Sequence, residues 1–301
     1  MSTAIFSINA IIGHNGAQRQ SILMCPPDYF AVDYVINAWM ENNCGTINKS
    51  LATSQWQNFY NQISKVADVF LIQPQQGLPD MVFTANAGMV LGNKAIISRF
   101  LAQERQGEEK FFAEWFAQAG YELVDWPQDV FFEGAGDALF DRGSNIIWAG
   151  YGFRSDVSAH PLLEQHFSMK VVSLNLVNPR FYHLDTCLCP LEDGYVLYHP
   201  AAFSAESLAL IHAHVPAEKR LVVEAEDAHG FACNAMEVAR HVFMNQASPA
   251  LQEQLRLAGF TAVVVPLTEF LKSGGGAKCL SLKLHETPLN AALSSAERKL
   301  A

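Results

Sequence analysis

The sequence predicts an α/β protein built as a closed ring of about five similar modules, each a hairpin, a helix and a further strand. Three observations carry this. Polar-centred segments of small residues return along the chain at positions 84–88, 134–138, 183–186, 232–236 and 276–279. Their central residues are evenly spaced: Asn86 follows Asn37 by 49 residues, and Asp137, Asp185, Asn234 and Cys279 come at further steps of 51, 48, 49 and 45. The strands around them read as hairpins rather than single strands between helices. That disfavours an open doubly wound sheet, the other architecture such an alternation allows. A ring places equivalent positions of every module about one axis. Asn37, Asn86, 133–137, 183–185 and Cys279 are therefore expected to converge.

The elements follow in order. Residues 1–20 show no period, and Gly13, Asn15 and Gly16 suggest an arm. Residues 21–25 read as a strand stopped by Pro26 and Pro27. Ser54 and Gln57 match a capping box, and Trp56, Phe59, Tyr60 and Ile63 recur at helical spacing. Residues 67–72 form an apolar strand, and 80–100 a strand pair turning at Gly92 and Asn93. The order then repeats. A helix spans 108–119 with Phe111, Phe112, Trp115 and Phe116 inward, then a strand at 121–126 and a hairpin at 137–151 turning at 142–144. A helix at 155–167, capped by Ser155 or Asp156, precedes a strand at 170–176 and a hairpin at 183–199 turning at 192–194. A helix at 204–214, a strand at 220–225 and a weaker strand pair at 232–244 come next. Ser248 and Pro249 open a helix that Gly259 closes, with proline at its first position and glycine just past its end. A strand at 261–266 and the strand after Cys279 finish the domain, expected over 21–285 and followed by a tail at 286–301.

Half of the 301 residues are hydrophobic and only 17% are charged, ample for a large core. A formal charge of −10 argues against nucleic acid or an anionic membrane as partner. No apolar run approaches a membrane span, and residues 1–10 lack a basic leader pattern. Six scattered cysteines do not make a disulfide framework, so a reducing cytoplasm is the expected compartment. The histidine pairs His160 and His166, and His212 and His214, have no matching acidic or thiol cluster. No metal or other cofactor is expected. The apolar fraction would permit a homo-oligomer.

The chemistry concentrates at the last glycine-rich stretch, Gly274-Gly275-Gly276, which leads to Cys279 and then to an apolar/polar alternation. The glycines are expected to give the backbone a flexible approach that leaves room for a small molecule. Taken alone, Cys279 reads as a buried structural cysteine, His183 as a rim histidine, Glu133 and Asp137 as turn residues, Asn86 as a cap and Arg154 as a solvated helix-start residue. Taken together at a common period, a thiol, an imidazole and carboxylates are what nucleophilic catalysis by a thiolate requires. His183 can carry protons. Asp185, two residues on, would share its face in a strand. Glu133 beside two glycines would suit a planar guanidinium.

The residues Phe83-Thr84-Ala85-Asn86, Phe132-Glu133-Gly134-Ala135-Gly136-Asp137, His183-Leu184-Asp185-Thr186 and the glycine-led Cys279 resemble the guanidine-modifying enzymes of the pentein superfamily, the five-bladed α/β-propellers. These include arginine deiminases, dimethylarginine dimethylaminohydrolases, amidinotransferases and arginine dihydrolases. The resemblance covers roughly 20–285. It implies Cys279 as nucleophile on the guanidino carbon, His183 as general acid/base, and Glu133 and Asp185 as the carboxylates that hold the guanidinium. It implies a substrate-binding set of Asn37, Asn86, Asp137, Arg105 and Arg154, with Arg99 competing for the role of Arg105. Asn86 stands where deiminases carry an aspartate, and Asn37 also resembles the dihydrolases. The resemblance therefore implies arginine hydrolysed twice, to ornithine, ammonia and carbon dioxide. Single-step hydrolysis to citrulline, of arginine or a methylated arginine, is the alternative. A non-catalytic pentein that binds a macromolecular surface is a third reading, since fold does not fix function.

Overall fold

The computed structural model describes residues 19–286. The arm at 1–20 and the tail at 286–301 fall almost wholly outside them. Strand β1 (Gln20–Met24) leads through a long loop to helix α1 (Lys49–Ile63) and strand β2 (Ala67–Leu71). The second module has β3 (Gly88–Leu91), β4 (Lys94–Ile97), helices α2 (Gln103–Gln106) and α3 (Glu109–Ala119), and β5 (Glu122–Leu123). The third has β6 (Ala138–Phe140), β7 (Ile146–Tyr151), α4 (Ala159–Phe167) and β8 (Lys170–Asn175). The fourth has β9 (Leu188–Leu191), β10 (Tyr195–Tyr198), α5 (Ala205–His214) and β11 (Arg220–Val222), then the short α6 (Ala225–His229). The fifth has β12 (Met236–Val238), β13 (His241–Met244), α7 (Pro249–Leu257) and β14 (Thr261–Val264). A one-turn α8 (Thr268–Leu271) and β15 (Leu282–Lys283) end the described chain.

Five three-stranded sheets result, and in each an antiparallel pair is extended by a parallel strand. The first sheet borrows its antiparallel member from the far end of the chain: Leu282 of β15 faces Leu23 of β1. That pairing closes the ring and fixes the fold as the five-module pentein propeller. The first strands of the modules sit innermost, so β3 and β9 are buried at every position, while the outer β14 reads exposed, intermediate, intermediate, exposed. Helices pack against the sheets through the apolar stripes the sequence shows. Trp56, Phe59 and Ile63 of α1 are buried, as are Phe112 and Phe116 of α3, while Tyr60, Phe111 and Trp115 are partly covered. Each fully buried phenylalanine contributes roughly 1.5–3 kcal/mol by removing apolar surface from water.

Several local expectations are corrected. Helix α1 begins at Lys49, capped by Asn48, whose side chain accepts from Leu51 N. Ser54 is interior to it and donates to Ser50 O, so the capping box does not form. Helix α4 begins at Ala159 rather than 155, because Ser155 and Asp156 are committed elsewhere: Asp156 accepts from Phe131 N, and Ser155 serves the site described below. The strand expected at 121–126 shortens to Glu122–Leu123. Most consequential, the polar-centred segments are not strand starts. Thr84–Ala87, Gly134–Gly136 and Leu184–Thr186 are single 3₁₀ turns that precede the hairpins. Among the described residues no helix is long and apolar enough to cross a membrane.

Candidate active site

The turns that open the modules meet at the ring axis, and their polar residues are buried: Asn86 at 2% exposure, Glu133 at 0%, His183 at 1%, Asp185 at 0%, Asn234 at 0% and Cys279 at 2%. The Cys279 sulfur lies 3.6 Å from Asp185 Oδ2 and 3.0 Å from Asn234 Nδ2. His183 Nε2 lies 2.8 Å from Glu133 Oε2. The expectation that His183 and Asp185 share a strand face fails, because 184–186 is a 3₁₀ turn. The turn still sends one toward Glu133 and the other toward the thiol, so both remain in the site by a different geometry.

Glu133 is gripped from several sides. Arg154 Nη1 lies 3.1 Å from Oε2 and 3.4 Å from Oε1, and Leu101 N donates to Oε1 at 3.3 Å. Burial alone would raise its pKa, but Arg154 and the His183 hydrogen bond overcome that and hold it at about 2. Asp185 has no such cation in contact. Burial pushes it up to about 6 against the opposing pull of His183 and Lys278. Burial and Asp185 together push the Cys279 thiol well above its usual range. The site thus holds one firmly ionised carboxylate, one near its titration point, and a protonated thiol. Among the described residues, Asp185 Oδ1 and His183 Nδ1 are buried with no hydrogen-bond partner. Such orphaned atoms cost roughly 1–3 kcal/mol each in a sealed protein, and a water or a polar ligand would satisfy them.

A narrow pocket adjoins the sulfur, lined among others by Asn37, Asp80, Asn86, Arg105, Arg154 and Tyr182. Arg105 is clamped by Glu108 through Nε at 2.9 Å and Nη2 at 2.8 Å, donates to Asn86 Oδ1 at 2.9 Å and Asp80 O at 3.1 Å, and stacks on Phe100. Four of its five donors are thereby used. Arg154 also donates to Ile36 O and stacks over Tyr182. Arg99 is not in this pocket: it pairs with Glu109 on a partly exposed face, whereas Arg105 lines the pocket. Asn37 lines the pocket, but its side chain is engaged locally, accepting from Trp39 N and Met40 N and donating to Ser273 O. Asp137, like Glu133, His183 and Asp185, lies behind the lining of this pocket, and its Oδ2 is 3.9 Å from His183 Nε2. Its oxygens accept from Leu184 N at 3.0 Å and Ser155 Oγ at 2.6 Å, and Ser155 Oγ in turn accepts from Glu133 N. Asp137 therefore braces the turns that carry Glu133 and His183.

The three glycines play a different part from the flexible approach expected of them. Gly274 has a left-handed φ of +78°, and a Cβ on Gly275 would sit 2.2 Å from the Phe83 ring. The space they free is filled by the protein's own side chains, which fixes the Cys279 turn rather than loosening it.

Two residues escaped the sequence reading. Asn234 occupies the fifth place in the repeat, and that period was the signal that would have found it. Asp80 is buried, accepts from Tyr34 Oη at 2.8 Å and Ser273 Oγ at 3.2 Å, and adds an acid to a pocket that also holds two arginines. Nothing in its local sequence marks it.

The model of the eukaryotic N,N-dimethylarginine dimethylhydrolase family matches residues 26–286. The bifunctional arginine dihydrolase/ornithine cyclodeaminase ArgZ of Synechocystis sp. is 53% identical over 88% of this chain and 38% of its own length, so the chain spans about two fifths of that relative. The N(G),N(G)-dimethylarginine dimethylaminohydrolase of Mycobacterium tuberculosis is 40% identical over 87% of this chain and 85% of its own. The crystal structure of the N-terminal domain of cyanobacterial ArgZ, a cysteine-to-serine variant bound to substrate, superposes with a TM-score of 0.88 at 52% identity, covering 89% of this chain and 99% of that one. With its thiol, imidazole and acids set at the axis of a five-module ring, the chain belongs to the dimethylarginine dimethylaminohydrolase family of guanidine-modifying pentein enzymes.

Proposed function

We propose that the protein hydrolyses the guanidino group of free L-arginine through a covalent adduct on Cys279, and does so twice, giving ornithine, two ammonia and carbon dioxide. The observation that carries the reading is the thiol facing Asp185, beside a Glu133–His183 pair that leaves Asp185 Oδ1 and His183 Nδ1 without partners. A guanidinium seated between the two carboxylates would satisfy Asp185 Oδ1. Its positive charge would also offset the burial that keeps Cys279 protonated.

The steps follow from the groups present. The thiol gives up its proton towards Asp185, and the sulfur attacks the guanidino carbon. His183 protonates the departing nitrogen, and ammonia leaves a thiouronium on Cys279. Water, deprotonated by His183, adds to the same carbon and releases a ureido product with the sulfur restored. A second round on the ureido carbon releases ammonia and carbon dioxide and leaves ornithine. The remote end of the pocket suits an amino acid: Arg105 and Arg154 face a carboxylate, and Asp80 an ammonium.

The dihydrolase reading over the single-step one rests on Asn86. Its Nδ2 points to Glu133 O at 3.4 Å and its Oδ1 is held by Arg105. A neutral amide at this place can donate to a ureido oxygen, which an aspartate cannot. The similar proteins of this chain that carry the name arginine dihydrolase fit the same reading. Mass balance of ornithine, citrulline and ammonia from purified protein and arginine tests it. Citrulline accumulating without ornithine sinks the dihydrolase, and full ammonia release by Cys279→Ser sinks the covalent mechanism altogether.

A further inference from the structure

A second cavity lies on the ring axis across the turns from the pocket beside Cys279. The innermost strand of every module contributes to it: Val90 of β3, Leu139 of β6, Cys189 of β9, Met236 of β12 and Leu282 of β15. Lys278, the residue before the nucleophile, lines this cavity while Cys279 lines the other. The partition between them is thus the turn at 277–280.

The charges in this cavity do not balance. Arg142, Lys278 and Lys283 face Glu237 and Glu286. Arg142 is matched by Glu286 in a two-pronged pair at 2.5 and 2.7 Å. Lys283 lies 3.8 Å from Glu237. Among the described residues Lys278 makes no salt bridge, and its ammonium is left over. Lys278 is part-buried, and it lines the cavity among largely apolar walls with no carboxylate among the described residues in direct contact. Burial accordingly pushes Lys278 below its usual range, against Asp185, Cys279 and Glu286.

We propose that this cavity is a binding site for a small monoanion of the carboxylate type, with Lys278 as its counter-ion. One uncompensated cation calls for one negative charge, which excludes phosphates and polyacids. The enclosed space, about 50 Å³, admits a body of only a few heavy atoms. The walls of Met89, Leu139, Leu188 and Met236 favour a short aliphatic body over a polar one. Acetate and bicarbonate share the required chemistry and differ in that body. The inference stands independently of the reaction proposed above.

The test is thermal melting of the full chain at pH 8 with sodium acetate or sodium bicarbonate, against sodium chloride at equal ionic strength. A saturable rise of about 2–4 °C at millimolar concentrations is expected with at least one of the two anions and not with chloride. Acetate acting alone identifies an aliphatic carboxylate as the ligand, and bicarbonate acting alone or better identifies a monoanion without an aliphatic body. The rise should vanish in Lys278→Met and persist in Lys283→Met, whose ammonium already has Glu237. Should Lys278→Met melt too low to titrate, Ala138→Leu fills the cavity without touching a charge and should abolish the rise equally. No saturable rise in the unmodified protein, an unchanged rise in Lys278→Met or in Ala138→Leu, or equal loss in both lysine variants would overturn the proposal.

Discussion

Asn234 holds the Cys279 turn from both ends of its amide: Nδ2 donates to the sulfur at 3.0 Å, while Oδ1 accepts from Cys279 N at 3.1 Å and Gly276 N at 3.0 Å. The second Nδ2 contact, to Asp185 O at 3.2 Å, ties this turn to its neighbour in the ring. Replacing Asn234 with Ala removes the hydrogen bond to sulfur and strands two backbone donors in a dry interior, each costing about 1–3 kcal/mol. The expected outcome is a kcat lower by about 10²-fold or more, as misplacing a reacting group costs, with KM changed far less and a lower melting temperature. Steady-state kinetics and thermal melting check it. A variant with normal kcat would show that Asn234 only braces the fold.

Asp185 is destabilising at neutral pH and above. Its folded pKa, near 6, stands above the unfolded carboxylate value of 3.8. Whatever stability it contributes is fully present below pH 4 and lost as pH rises through 6, on the order of 3 kcal/mol. Asp185→Asn should therefore melt several degrees above the unmodified protein at pH 8, while the two curves approach each other near pH 4. The same variant should be inactive. Melting curves across that range decide it, and a variant less stable at pH 8 would contradict the assignment.

Glu133 runs the other way. Its folded pKa of about 2 lies below the unfolded 4.5, so its contribution is complete above pH 4.5 and lost only as pH falls through 2. Glu133→Gln also leaves the Arg154 guanidinium, 7% exposed, without its counter-charge. A loss on the order of 3 kcal/mol is expected at pH 7, narrowing in acid. Urea unfolding at pH 7 and pH 3 measures it. An equal loss at both pH values would mean that packing, not charge, is what Glu133 supplies.

The ring and most of the site were legible because the repeat is written in polar residues that local folding alone would not place every fifty positions. Asn37, Asn86, Glu133, His183, Asp185 and Cys279 could be aligned by counting. Asn234 stands in the same register, but it falls in the weaker strand pair at 232–244 and carries neither a titratable nor a nucleophilic group. Asp80 was hidden for a different reason: it sits in the 3₁₀ turn Pro79–Val82, ahead of the polar-centred segment, and only the arrival of Tyr34, Ser273 and Arg105 from distant positions makes it part of a pocket. Arg99 and Arg105 could not be separated by sequence, because which one turns inward is decided by Glu108, buried beside Arg105, and Glu109, on the outer face beside Arg99. The 3₁₀ turns were read as strand because their small apolar neighbours alternate as strands do. The difference lies in backbone hydrogen bonds such as Thr186 N to His183 O, which no periodicity reports.

In the proposed reaction, Asn86 carries the distinction between one hydrolysis and two. Asn86→Asp keeps the acceptor for Arg105 Nη1 but sets a carboxylate oxygen against Glu133 O, where Nδ2 now donates. It adds a negative charge near Glu133, which tightens a guanidinium and gives nothing to a ureido oxygen. The expected product from arginine shifts from ornithine towards citrulline, and citrulline supplied as substrate should be consumed more slowly. Chromatography of both reactions checks it. Unchanged ornithine yield would move the distinction elsewhere in the pocket.

Gly136 tests how closely the turns are packed. A Cβ there would sit 2.2 Å from Asn86 Nδ2 and 3.5 Å from the His183 ring, both buried and without room to retreat. Gly107 offers a comparison, since a Cβ there would meet only the end of the Leu78 side chain, at 3.0 Å. Overpacking of this kind costs roughly 1–3 kcal/mol, so Gly136→Ala should fold but with a lower melting temperature. Because the displaced groups are Asn86 and His183, kcat should fall by about 10²-fold, whereas Gly107→Ala should keep its activity. Parallel kinetics on the two variants separate the cases. Equal, mild effects at both positions would mean that the turn at 134–136 yields without moving the reactive groups, and that the ring axis is softer than its hydrogen bonds imply.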